Sequence, residues 1–146
     1  MFEQGNIIYF DPFYFKNGNS PKPKFFVVLK YIDGKSILAS LPTSKDFVPT
    51  AHEHLQGCVE LPESNLNCYV FAQNQIVTEC GKSFKLRTHL YGHLIDTYEV
   101  DLLNELYQNE GTDYEIFGKI KYDIITELIN CFKNSKSVKR KYKAIL

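Results

Sequence analysis

Two imidazoles bracket a carboxylate at His52-Glu53-His54. Histidine titrates near neutral pH, so this triplet can supply both a base and an acid to a proton-transfer reaction. It also offers two metal ligands, but no clear third accompanies them. The alternative is a pair of solvated loop histidines. His89 and His93 stand four residues apart, the spacing of one helical face, yet Gly92 and the strand-like Thr88–Tyr91 oppose a helix there. No joint metal site is expected from them. A second grouping sets Tyr9, Phe10, Phe13, Tyr14 and Phe15 beside Lys16, Lys22 and Lys24. Rings over a basic rim stack unpaired bases, which makes Tyr14, Lys16 and Lys22 candidate RNA contacts. Such rings more often fill a packed core or a dimer contact, and they also suit the capture of a partner's peptide. With no phosphate-cradling glycine loop and no convincing metal set, no cofactor is expected.

The elements that must position these groups are strands first and helices last. Asn6–Phe10 and Lys24–Leu29 are short apolar runs, the second too short and too β-rich for a core helix. It reads as a strand buried on both faces. Asp11-Pro12 closes the first strand, Asp33-Gly34 turns the second into the third (Ile37–Leu41), and Pro42 stops the third. Cys68–Ala72 and Gln75–Glu79 read as further strands, with short ones near Cys58–Leu61 and Ser83–Leu86. A long mobile loop is expected between Thr43 and Asn67. From Asp96 the period changes. Asp96 with Glu99 fits a capping box for a helix over about 97–108, and Gly111 ends it in a loop running Asn109–Gly118. Ile120, Ile124, Leu128 and Phe132 form the stripe of a second helix, about 119–133. This order predicts an α+β fold with the helices on one side of a strongly curved sheet, and a loose tail at 135–146.

Composition limits the options. One domain of 146 residues, 44% hydrophobic and 23% charged, buries a core without staples. The longest apolar runs are far too short for a membrane span or a signal-peptide core, so a cytoplasmic protein is expected. Cys58, Cys68, Cys80 and Cys131 show no paired spacing and are read as reduced thiols. The zero net charge is partitioned: residues 133–146 carry six bases and no acid, whereas 95–132 carry nine acids and two lysines. The basic tail either folds back on the acidic region, reaches one acidic partner or contacts phosphate directly.

Gly5-x-Ile7-Ile8, Asp11-Pro12, Lys24–Leu29, Leu41-Pro42-Thr43-Ser44, Asn74-Gln75-Ile76-Val77-Thr78 and Thr88…Gly92-x-Leu94 follow one another in an order that resembles the MazF/PemK-like toxins of bacterial toxin–antitoxin pairs. The resemblance covers roughly residues 1–108. It implies a small SH3-like barrel of about five to seven strands (about 1–94) within a single domain, 1–134, that also holds the two helices. It also implies a metal-independent endoribonuclease acting on single-stranded RNA, a homodimer, and an antitoxin partner. That family places an arginine at the start of the second strand and a threonine after the third on the scissile phosphate. The matching residues are Lys24 and Thr43, with Ser44 adjacent; lysine keeps the charge and loses the bidentate fork. His52 and His54 fall where the family has a substrate-covering loop and are candidate proton carriers. Some members carry Arg-x-Asp before the Gln-Ile element, where this chain has Ala72 and Asn74, which cannot move a proton. A non-catalytic barrel that binds RNA or a protein partner is therefore the alternative.

Overall fold

The computed structural model describes residues 1–44 and 55–146. Eight strands and three helices lie among them: β1 (Asn6–Phe13), β2 (Lys22–Ile32), β3 (Ser36–Ser40), β4 (Gly57–Leu61), β5 (Leu66–Phe71), β6 (Thr88–Tyr91), β7 (Asp96–Glu99), α1 (Val100–Leu106), β8 (Tyr114–Lys119), α2 (Tyr122–Lys133) and α3 (Arg140–Lys143). The fold is α+β. Every strand pairing is antiparallel, in a five-stranded sheet ordered β7-β3-β2-β1-β8 and a three-stranded sheet ordered β4-β5-β6. Among the described residues the strand ladders stay separate. Thr43 alone bridges from the end of β3 to His89 of β6.

The continuous apolar runs follow from a large sheet covered on both faces. On β1, β2 and β3, Ile7, Val27, Leu29 and Leu38 face Tyr69, Phe71 and Leu90 of the small sheet and Ile124, Ile125, Leu128 and Phe132 of α2. Their neighbours Ile8, Phe10, Phe26, Val28, Ile37 and Ala39 face the other way, onto Phe2, Tyr98, Leu103 and Tyr107. Asp33 and Gly34, both at positive φ (50° and 69°), make the two-residue turn between β2 and β3 that suits the strands' twist.

Several expectations are corrected. The first helix begins at Val100, because Asp96–Glu99 pairs with Ser36–Ala39 as β7. Glu99 makes no side-chain cap, so there is no capping box. The expected loop Asn109–Gly118 contains β8, drawn into the sheet by its pairing with β1. The Gln75–Glu79 strand is reduced to isolated bridges, Ile76 to Ser83 and Thr78 to Ile120. Lastly, Cys58 and Cys131 form a disulfide joining β4 to α2, leaving Cys68 and Cys80 as thiols. The two half-cystines are 73 residues apart and meet only once α2 lies across the small sheet.

The tail is not loose either. Ser135, Val138 and Tyr142 are buried, and the Tyr142 hydroxyl donates to Asp96 Oδ1 at 3.0 Å. Burial pushes the Asp96 carboxyl up, but the Thr97 N–H, the Tyr142 hydroxyl and the Lys16 ammonium outweigh it and hold the carboxyl below its ordinary range. Gly92 makes room for this docking. A Cβ there would lie 2.5 Å from Asn67 Oδ1 and 2.7 Å from Val138 Cγ2. Gly92→Ala is expected to cost about 1–3 kcal/mol through overpacking, read as a lower thermal midpoint. An unchanged midpoint would mean that Val138 and Asn67 yield freely.

Candidate functional site

The start of β2, the segment after β3, a hairpin at 74–84 and β8 enclose a groove of about 640 Å³. Each wall has a local cause. Lys22 and Lys24, two apart on β2, share one side of the strand. Thr43 is held by two backbone hydrogen bonds with His89, its N–H donating at 3.0 Å and its carbonyl accepting at 2.8 Å. The 74–84 hairpin turns at Gly81, which sits at φ 87°. Its ends are closed by the Asn74 N–H on the Phe84 carbonyl and the Val77 N–H on the Lys82 carbonyl, both 2.9 Å. The Thr78 hydroxyl accepts from the Lys82 N–H at 2.8 Å. A separate turn leads into this hairpin, built by Asn74 at φ 62°, the Ala72 N–H on the Gln75 side chain and the Gln75 N–H on the Ala72 carbonyl.

Inside the groove the rings of Phe25, Phe84 and Phe117 touch pairwise. Phe25 meets the other two nearly edge-on at 5.1 Å, and Phe84 stacks on Phe117 at 5.7 Å. Phe84 is buried, while Phe25 and Phe117 keep part of their surface in solvent. Tyr9 leans on Phe25. Lys22, Lys24, Lys82 and Lys85 ring these aromatics, against one lining carboxylate, Glu115. The Lys82 ammonium lies 5.0 Å from the Phe117 ring centre. Burial, reinforced by the charge of Lys22, lowers the pKa of Lys24. Cations gathered around partly exposed rings suit a ligand that alternates phosphate and base.

The sequence candidates divide accordingly. Lys22, Lys24, Thr43 and Ser44 come together in this groove. Lys16 is elsewhere, bound to Asp96 Oδ2 at 3.3 Å and to the Thr97 carbonyl, with its ammonium 4.3 Å from the Tyr98 ring centre. Tyr14 lies outside the groove lining too, its N–H donating to the Tyr107 hydroxyl and its half-exposed ring stacked on Tyr107. Phe10 and Phe13 are core residues, 0% and 1% exposed. His52 and His54 lie outside the described residues. His89 is buried and stacks on Tyr91, whereas His93 is exposed. Among the described residues no three His, Cys, Asp or Glu side chains gather as a metal site. Sequence reasoning missed Lys82, Phe84, Lys85, Glu115 and Phe117. The signal available was the interleaved Lys82-Ser83-Phe84-Lys85, which gains meaning only when the hairpin is closed. No family model matches this sequence, and no curated protein does.

Proposed function

We propose that the groove binds single-stranded RNA and that the chain is a metal-independent, MazF/PemK-like endoribonuclease. One observation carries this reading: four lysines, Thr43, Ser44 and partly open phenylalanine rings share one cleft with a single carboxylate. In this reading the two sheets bridged at Thr43 are the halves of an SH3-like barrel. A second copy and a small antitoxin that occludes the groove belong to the same proposal.

The reaction is attack of a ribose 2′-hydroxyl on the adjacent phosphorus, with departure of the 5′-oxygen. Charge accumulates on the non-bridging oxygens, so the Lys24 ammonium and the Thr43 and Ser44 hydroxyls act there. Glu115, or His52 and His54, take the 2′ proton and return one to the leaving oxygen. The second reading is RNA binding without cleavage. It is favoured by Ala72 and Asn74 serving as turn residues and by the absence of imidazole from the described lining.

The test is to incubate the protein with a long unstructured RNA in EDTA. Discrete fragments are expected. Intact RNA that is nevertheless bound transfers the groove to the second reading, and no binding removes both.

A further inference from the structure

A second charged surface lies apart from the groove. The chain from Lys133 to the end is anchored by Ser135, Val138 and Tyr142, all buried. The Lys143 ammonium donates to the Ser135 carbonyl at 2.9 Å, and the Ser137 hydroxyl meets Asn65 Oδ1 at 3.2 Å. A last helical turn, closed by Ala144 and Leu146 N–H groups, completes the anchor. Lys133, Lys136, Lys139, Arg140 and Lys141 are left exposed, and none of them forms an ion pair among the described residues. Lys139 and Lys141 place their ammonium groups 6.0 and 5.0 Å from the Tyr142 ring centre. The acid that this segment touches, Asp96, is already taken by the Tyr142 hydroxyl, the Thr97 N–H and Lys16. Self-neutralisation, one of the options open to the sequence, is therefore not how the tail is held. It is held by apolar burial, by the Tyr142 hydroxyl on Asp96 and by hydrogen bonds to neutral groups, and the charges of Lys133, Lys136, Lys139, Arg140 and Lys141 stay available.

We infer that this anchored basic segment is a second phosphate-binding surface, which takes the backbone of a single-stranded RNA. Its chemistry selects a polyanion: five cations without an intervening acid, on a backbone fixed before the ligand arrives, so that little ordering entropy opposes binding. A lipid surface is disfavoured because no large apolar side chain within residues 133–146 is fully exposed, Ile145 and Leu146 being half-buried, so the segment itself offers little to insert. A protein interface would draw its affinity from a buried aromatic or apolar anchor, and Tyr142 is already 5% exposed in the core. The ligand class is shared with the groove reading, but the residues are not.

The experiment is fluorescence anisotropy with a labelled oligouridylate of about twenty nucleotides across a potassium chloride series. The variants are Lys139→Gln/Arg140→Gln/Lys141→Gln and, for the groove, Lys22→Ala/Lys24→Ala, each checked for an unchanged thermal midpoint. Removing three phosphate contacts is expected to weaken binding at low salt by about tenfold or more and to flatten the log–log salt slope by about 2. Lys139→Arg/Lys141→Arg, which keeps the charge, is expected to bind as the parent does. Unchanged affinity and slope in the glutamine variant overturn the inference. So does a loss seen only against phosphatidylserine vesicles. If the groove variant alone loses binding, the tail inference fails and the groove reading stands; if the tail variant alone does, the reverse holds.

Discussion

Lys24→Met is expected to abolish RNA cleavage while leaving the protein at least as stable as the parent. The two effects separate because they come from opposite consequences of one placement. Burial and the neighbouring Lys22 both disfavour the charged form of Lys24, so its pKa lies below that of an unfolded lysine. The unfolded chain then binds more protons between the two values, and stability rises with pH through that window. Methionine keeps most of the stem and removes the charge that burial penalises. The thermal midpoint should therefore hold or rise, with a smaller dependence on alkaline pH. Cleavage moves the other way. A cation aimed at the developing charge on phosphorus oxygens is of the kind whose removal costs about 10²–10³ in kcat. The parent's rate should also fall as pH rises through the lowered Lys24 pKa, as the ammonium is lost. Lys24→Arg restores the charge and is expected to recover binding. Single-turnover cleavage and calorimetry on the same samples decide the matter. Cleavage within threefold of the parent in the methionine variant would mean that Lys24 does not act on the phosphate.

How far the sequence carried the argument depended on whether the signal was local. β1, β2 and the turn at Asp33-Gly34 were legible because short β-rich apolar runs and an Asp-Gly pair are decided within a few residues. α2 was legible because its apolar stripe repeats at the helical period over three turns. β8 was not, since Tyr114–Lys119 holds its place through the ladder with β1, from which it is separated by a hundred residues. Asp96 misled for the same reason. Its spacing to Glu99 is that of a helix cap, but pairing with Ala39 and the bonds to Tyr142 and Lys16 claim it for a strand. In the site, Lys24 and Thr43 were reached only through the resemblance carried by a series of short motifs in order, not through any local signal, and both line the groove. The aromatic floor was hidden, because Phe25, Phe84 and Phe117 come from three separate parts of the chain. Lys16 and Tyr14 looked equivalent to Lys22 in sequence, and only the fold shows them turned toward Asp96 and Tyr107.

Reducing the Cys58–Cys131 disulfide is expected to lower the stability of the protein by about 4 kcal/mol, the chain-entropy value for a bridge between residues 73 apart. At a urea slope of about 2 kcal/mol per molar, the midpoint should move down by about 2 M. Cys58 is exposed on β4, so a small reductant can reach the bond, whereas Cys131 lies buried on α2. The reduced chain should nonetheless remain folded, because Ile124, Ile125, Leu128 and Phe132 bury α2 against both sheets independently of the bridge. Thiol titration of the denatured protein should find two groups before reduction, Cys68 and Cys80, and four afterwards. Four thiols in untreated protein, or coincident urea midpoints with and without reductant, would remove the staple from the account. The groove provides the complementary expectation. None of its walls comes from α2 or β4, so below the reduced protein's unfolding transition RNA binding should be indifferent to reductant. A bridge that sets stability without touching the ligand surface leaves the two properties free to vary separately. The Cys58→Ser variant measures that separation by losing the urea midpoint and keeping its affinity for RNA.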